Sequence, residues 1–297
     1  MKTIDTLVND ILEVVDGLGG WDNAASEYLS GNLTKVFNSR FKKKEEEEVR
    51  NTLRLSQTGY KCMRRHWLTA NVTDNTYVSS PQPTAKLMFL FGDILEELLI
   101  ALAKAAGHTV EGEQDEMYVL GIKGHRDCVI DGHLVDIKSA NSWNYKKFEK
   151  GTLRDEDKFG YISQLSSYLY ASQDDPLVKD KTKASFLVID KQFGSLCLDT
   201  HDMSADVAEK EKEITKVKEA ASADTIPDIP YSPEPDGYKN YKTKEWKANG
   251  NEKLPKECQY CPFVQICWEG IRTFEYSTGS KLYLTKVVKE PNLKEIK

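Results

Sequence analysis

No uninterrupted apolar stretch in the 297 residues approaches the length of about 18 that would span a bilayer. The opening run MKTIDTLVNDILEVV also lacks the hydrophobic region of a secretory leader. A soluble, cytoplasmic protein without a membrane partner is therefore expected. Cationic residues are in deficit, 41 Lys and Arg against 47 Asp and Glu for a net charge of -6, which excludes a positively coated protein and confines any polyanion contact to local patches. No Gly-x-x-x-x-Gly-Lys-Ser/Thr loop occurs, so a nucleotide-driven motor is excluded. Cysteine is sparse, six in all. In a reducing compartment six do not make a disulfide framework, and metal ligation or burial remain as their uses. The length leaves room for one sizeable domain, or one domain with an appended module.

What is present is concentrated in GHRDCVIDGHLVDIKSA, Gly124 to Ala140. Asp131-Gly132 lies between two runs rich in Val, Ile and Leu, the pattern of a two-residue type I′ hairpin. Counting outward pairs Ile130 with His133, Val129 with Leu134, Cys128 with Val135, Asp127 with Asp136, Arg126 with Ile137 and His125 with Lys138. Asp127 and Asp136 are thus opposed, and opposed Cβ atoms on antiparallel strands sit roughly 4.5 to 5.5 Å apart, where like charges destabilise. At an effective dielectric near 20, repulsion at about 4 Å is on the order of 4 kcal/mol, which a proton or a cation between the two relieves. A divalent ion such as Mg²⁺ or Mn²⁺, taking oxygen ligands and able to activate water, fits that need. Lys138 follows Asp136 at the two-residue strand period and emerges on the same face. A hairpin whose polar face is simply wet is the alternative.

Gly, two residues, Asp, a hairpin and then Asp-Ile-Lys resembles the core of the PD-(D/E)XK nuclease superfamily, in particular its RecB-like branch. The resemblance implies that Asp127 and Asp136 bind metal, that the Ile137 carbonyl is a further ligand, and that Lys138 positions or activates the attacking water. Upstream, Lys86 to Gly107 reads as a long helix, apolar nearly all round and hence buried. On its wheel Glu96 falls among Phe89, Ile100 and Ala103, whereas Glu97 falls beside Asp93 and Lys104. A carboxylate in apolar company must be paired, protonated or metal-bound. RecB-like nucleases carry a glycine followed four residues later by His or Glu in such a helix, and Gly92 with Glu96 fits. Downstream, Gln164 and Tyr168 share one face of the helical stretch Asp157 to Ser172. They match the family's motif of Gln, three residues, Tyr, which implies a catalytic orienting role for Gln164 and a nucleic-acid contact for Tyr168.

Elsewhere, Ile4, Leu7, Val8, Ile11, Leu12 and Val15 keep helical spacing until Gly17, Gly19 and Gly20, and a second helix is expected over Ala24 to Ser39. The run KKKEEEEVR, 42–50, reads as a solvated helix face. Glu116 to Leu120 looks like a strand feeding the central hairpin. Ala184 to Asp190 and Ser195 to Thr200 form a second hairpin, followed by a charged helix over Ala205 to Ala221. Cys128 and Cys197 fall within strands, where burial is expected. Pro227, Pro230, Pro233 and Pro235 then mark a linker. Beyond it Tyr238, Tyr241 and Trp246 interleave with Lys239, Lys242, Lys244 and Lys247, the composition of a single-strand contact or, alternatively, of a lysine-rich surface loop.

CQYCPFVQIC supplies Cys258, Cys261 and Cys267, and three clustered thiols need a fourth ligand, for which Cys62, beside Arg64 and Arg65, is the donor at hand. A C-terminal triplet with one remote cysteine, bracketing a RecB-like core, resembles the iron-sulfur nucleases among the CRISPR-associated adaptation nucleases and the AddB nuclease domain. That likeness implies a structural [4Fe-4S] cluster on Cys62, Cys258, Cys261 and Cys267, with Zn²⁺ as the alternative.

The expected fold is α/β, a restriction-endonuclease-like core with a mixed central sheet flanked by helices. Residues 1–54 form an N-terminal helical region, 55–225 the nuclease core, 226–271 the linker and cysteine segment, and 272–297 a tail with a possible hairpin at Thr278-Gly279. The expected activity is metal-dependent exonucleolytic cleavage of DNA, on single-stranded or free ends, in recombination, repair or viral genome processing. Glu96, Asp127, Asp136 and Ile137 would hold Mg²⁺ or Mn²⁺, and Arg64, Arg65, Lys242 and Trp246 would join Tyr168 in contacting nucleic acid. A non-catalytic binding protein on the same scaffold, or an endonuclease, is the alternative.

Overall fold

The computed structural model describes residues 2–42, 52–74, 78, 79 and 81–296. The charged run 42–50 lies, apart from Lys42, outside them. In chain order the first elements are α1 (Leu7–Val15), α2 (Asn23–Phe41), α3 (Met63–Asn71), α4 (Pro83–Ala105), β1 (Val110–Glu111), β2 (Glu116–Val119), β3 (Ile122–His125), β4 (Cys128–Ile130) and β5 (His133–Ala140). There follow α5 (Ser142–Glu149), α6 (Leu153–Glu156), α7 (Tyr161–Ala171), β6 (Lys183–Asp190), β7 (Leu196–Asp202) and α8 (Ser204–Ala221). The last are β8 (Glu234–Lys239), β9 (Trp246–Lys253), α9 (Lys256–Gln259), α10 (Val264–Cys267), β10 (Arg272–Glu275), β11 (Lys281–Lys286) and β12 (Lys294–Ile296). No helix among the described residues is long and apolar enough to cross a membrane.

The described residues within 1–47, 52–60 and 87–218 form one compact unit, and those within 61–86 and 219–297 a second. The first is built on a five-stranded sheet of order β1-β4-β5-β6-β7. Its pairs are antiparallel except β5 with β6, which run parallel and so need the long connection through α5, α6 and α7. The α/β fold with a mixed central sheet is thus as the sequence reading has it.

Alternation along β5 and β6 sends side chains to two cores. Leu134, Ala184, Phe186 and Val188 pack with Tyr145, Phe148, Leu165, Tyr168 and Leu169 on one face. Val135, Ile137 and Leu187 pack with Leu7, Ile11, Leu99, Ile100 and Ala103 on the other. Each fully buried Leu, Ile or Phe stabilises by about 1.5 to 3 kcal/mol, so these strands are held from both sides and read as nearly continuous apolar runs.

Four elements differ from expectation. The α4 helix is not buried all round: Leu87, Met88, Phe89 and Phe91 are exposed, whereas the helix packs into the sheet core further along, through Leu98 to Ala103. β2 does not join the central sheet; it pairs with β3 in a separate two-stranded ribbon. The helix bearing Gln164 starts at Tyr161, after Gly160, which takes the left-handed φ of 79°. The supposed linker contains β8, and Pro235 is tolerated there because β8 is an edge strand whose register shifts between Pro235 and Gly237.

The second unit carries a five-stranded sheet of order β12-β10-β11-β9-β8. Segments 226–271 and 272–297 therefore share one sheet, and the turn at Thr278-Gly279 joins β10 to β11 as an antiparallel hairpin. Asn251 on β9, 2% exposed, holds the chain that follows β11: Oδ1 accepts from the Val288 and Lys289 N–H groups and Nδ2 donates to the Lys289 carbonyl, each at 2.8 Å. In the same unit α3 is tied to the segment before β8 by Trp67 Nε1 to the Ala223 carbonyl at 2.8 Å and by Arg64 to the Pro227 carbonyl at 2.9 Å.

Candidate active site

The β4–β5 hairpin turns on Asp131 and Gly132, both left-handed at φ 53° and 83°, as a type I′ turn requires. The Asp131 carboxylate accepts the Thr109 N–H at 3.0 Å and meets buried His108 at 2.7 Å, which fixes the turn. From there the register follows the expected pairs Ile130 with His133, Val129 with Leu134 and Cys128 with Val135. Beyond Cys128 the ladder stops. Asp127 Oδ2 takes the Ile137 N–H at 2.7 Å, where a main-chain carbonyl would have bonded. Arg126 turns instead into a buried fork, with one nitrogen 2.6 Å from Asp115 and another 2.5 Å from Asp175. His125 pairs with Glu116 in the ribbon. The expected pairs Asp127 with Asp136, Arg126 with Ile137 and His125 with Lys138 are therefore absent from the ladder, because the Asp127 side chain and not its main chain bonds β5.

Asp136, 1% exposed, lies on the α7 side of β5. Its Oδ1 accepts from Gln164 Nε2 at 3.2 Å, and the same nitrogen donates to the Tyr168 hydroxyl at 3.2 Å, so the helical i, i+4 pair converges on one acid. Asp136 Oδ2 makes no directed hydrogen bond among the described residues but faces the Lys138 ammonium at 2.5 Å. Lys138 in turn lies 5.5 Å from the centre of the Tyr161 ring.

Electrostatics join Glu96, half-buried on α4, to this group. Burial, and then the charges of Asp127, Glu97 and Asp136, push the Glu96 carboxyl up to about 9. Burial and the Asp136 charge raise Asp127 to about 7, against the pull of Lys138 and the Ile137 N–H. Burial also raises Asp136, with Lys138 opposing. At Lys138 burial works against the charge, yet Asp136 and Asp127 more than offset it and its pKa stands above the ordinary lysine range. Three carboxylates thus share a low-dielectric site with one ammonium, leaving negative charge that a divalent cation would neutralise. By donor chemistry the set suits a hard cation, although among the described residues no three His, Cys, Asp or Glu side chains already surround one point as ligands.

Sequence reasoning missed Gln114. Its Nε2 donates to Glu96 Oε1 at 2.6 Å and its backbone N–H donates to the Asp127 carbonyl at 3.1 Å, tying two of the acids together. A left-handed φ of 57° at Gln114 makes this reach possible, and the Gly112 to Asp115 turn was its one local signal.

The remaining predicted residues divide. Tyr168 is 3% exposed with its hydroxyl on Gln164, so it stands behind the site in place of a surface contact. Arg64 and Arg65 are half-buried, Arg64 spent on the Pro227 carbonyl. Lys242 and Trp246 are exposed, in the second unit. There Cys62 precedes α3, Cys258 lies in α9, Cys267 ends α10, and all six cysteines are free thiols. Burial and then the neighbouring Cys261 push Cys258 up to about 12, with Cys62 and Cys267 adding to the rise. Cys62 and Cys261 are also raised, by burial first, and each senses Cys267. The four thiols sense one another, but among the described residues no three of them already surround one point as ligands.

Among solved structures the chain is similar to a protein named SSO0001, with 20% identity, 82% of this chain and 95% of that one covered, and a TM-score of 0.42. It is also similar to a phage-related exonuclease from Haemophilus somnus 129PT, with 16% identity, 57% and 92% covered, and a TM-score of 0.40. No curated protein matches. The family model of the PD-(D/E)XK nuclease superfamily matches residues 27–268, a span that holds the Asp127, Asp136 and Lys138 hairpin, and the chain belongs to that superfamily.

Proposed function

We propose that this nuclease is a metal-dependent deoxyribonuclease of the RecB-like type, acting as an exonuclease on single-stranded DNA ends. The observation that carries the proposal is geometric: Asp136, 1% exposed, is held by Gln164 Nε2 at 3.2 Å and faces the Lys138 ammonium at 2.5 Å, while Asp127 Oδ2 takes the Ile137 N–H of the same strand at 2.7 Å. Nucleases of this superfamily generally use Mg²⁺ or Mn²⁺. Glu96, Asp127, Asp136 and the Ile137 carbonyl would hold such an ion, which when bound supplies charge neutralisation at the scissile phosphate. Lys138, charged against Asp136, orients a water and stabilises the negative charge that builds on the phosphate oxygens. As the water oxygen bonds to phosphorus the bond to the leaving sugar oxygen breaks, the proton released by the water passes to the carboxylate cluster, and the leaving oxygen takes a proton from solvent. Gln164 holds Asp136 in place while Tyr168 backs Gln164.

Cys62, Cys258, Cys261 and Cys267 are proposed as the ligands of a structural [4Fe-4S] cluster, with Zn²⁺ as the alternative. Free thiols that raise one another's pKa suit a cationic centre that neutralises them. The activity is tested by Asp136→Ala and Lys138→Ala on labelled single strands with Mn²⁺. Both variants should lose cleavage while keeping the parent's circular dichroism. Either one cutting at the parent rate removes the site assignment.

A further inference from the structure

The β8–β9 hairpin carries groups that the chemistry of cleavage does not use. Its register sets Tyr238 opposite Lys247 and Lys239 opposite Trp246, so each face of the ribbon shows one aromatic beside one lysine. The loop between is fixed: Asn240 Oδ1 accepts the Lys242 N–H at 2.9 Å and the Thr243 N–H at 3.2 Å, the Asn240 N–H donates to the Glu245 carbonyl at 2.7 Å, and Lys244 takes φ 61°. Trp246 lies across Gly237, where a Cβ would come within 2.7 Å of its ring, so the glycine gives the indole its seat. The rings nevertheless stay open, Tyr238 at 58%, Trp246 at 54% and Tyr241 at 87%, the last with the Lys244 ammonium 4.4 Å from its centre. In a chain of net charge -6, four lysines against Glu245 within residues 239–247 make a local cationic patch.

We propose that this hairpin is a stacking platform for single-stranded nucleic acid. Exposed planar rings held by backbone geometry cost little entropy to use, and every unpaired base offers a face to them, whereas a duplex hides its bases in the stack. Lysines directly across the ladder from the rings meet the phosphates between stacked bases. An acidic protein partner would satisfy the lysines and leave the rings unused. The inference deepens the nuclease reading by giving it a surface that selects unpaired strands, and rests on it for the identity of the ligand.

The test is fluorescence anisotropy of full-length protein with labelled oligothymidylate in EDTA, where nothing is cleaved. Tyr241→Ala and Trp246→Ala should each weaken binding by about 5- to 150-fold, with Trp246→Phe recovering most of the loss. Lys242→Glu with Lys244→Glu should flatten the salt dependence of binding by about 1.4 in log–log slope. Cleavage of thymidine 5′-p-nitrophenyl phosphate, which has no flanking nucleotide to stack, reads the carboxylate site alone. Parent-level oligothymidylate binding by Tyr241→Ala and Trp246→Ala, or equal displacement by polyglutamate at matched charge, overturns the platform whatever the carboxylate site does. Loss of the small-substrate reaction in Asp136→Ala with strand binding intact bears on the chemistry and leaves the platform standing.

Discussion

Asp127 Oδ2 accepts the backbone N–H of Ile137 at 2.7 Å, so one carboxylate both ends the hairpin ladder and joins the Asp136 and Lys138 charges. The bond fixes Ile137, whose carbonyl is a proposed metal ligand, and aligns the strand that presents Asp136 and Lys138. Position and charge thereby depend on one side chain.

The two roles separate by substitution. Asp127→Asn keeps an oxygen for the Ile137 N–H but removes the charge, whereas Asp127→Ala removes both. Both variants should lose cleavage. Chemical denaturation should find Asp127→Ala less stable than Asp127→Asn by about 1 to 3 kcal/mol, the cost of an unsatisfied backbone donor. Equal stability of the two would show that the bond orders nothing.

A second expectation concerns pH. With Glu96 raised to about 9 and Asp127 to about 7, the folded state holds protons that unfolded carboxyls release near pH 4. The folded state binds more protons in that interval, so stability falls as pH rises, and this contribution is gone above about pH 9. Thermal unfolding in EDTA should show the decline, and Glu96→Gln should flatten it. Mn²⁺ binds the deprotonated acids, so it should raise Tm more at about pH 8.5 than at about pH 6. A Tm in EDTA that rises steadily across the same interval contradicts the coupled cluster.

Gln114 bridges Glu96 to the main chain of Asp127. Such groups behind a metal ligand set its direction, and losing one typically lowers metal affinity about 10- to 100-fold. Gln114→Leu should weaken Mn²⁺ binding by that factor in a calorimetric titration while single-turnover cleavage at saturating Mn²⁺ recovers most of its rate. An unchanged affinity removes Gln114 from the site.

The hairpin register was legible as far as Cys128 with Val135 because Asp131-Gly132 permits one tight turn, but not at Asp127, where a side chain replaces the main chain in bonding β5. Gln164 and Tyr168 were legible because i, i+4 spacing is fixed by the helix itself. Gln114 and the Arg126 fork were not, since both depend on a loop meeting elements far along the chain, Glu96 and Asp175. The exposed face of α4 was misread for a related reason: composition reports that Leu87 to Phe91 are apolar but not where the sheet beneath the helix ends. β8 was hidden by its proline, which is compatible with a strand that has a neighbour on one side only.

The cysteines give the last prediction. Protein purified anaerobically should be brown, with broad absorbance near roughly 400 nm from thiolate-bound iron-sulfur, and iron and acid-labile sulfide should be near stoichiometric. Zn²⁺ on the same ligands would leave it colourless. Cys62 is remote in sequence from Cys258, Cys261 and Cys267, so Cys62→Ser should release the metal and lower Tm as the loop constraint is lost. Cys128 provides the internal control: it is fully buried in β4 of the other unit, and Cys128→Ala should alter stability without touching metal content. Metal content unchanged in Cys62→Ser, or absent from the parent protein, leaves the four thiols as ordinary side chains of the second unit.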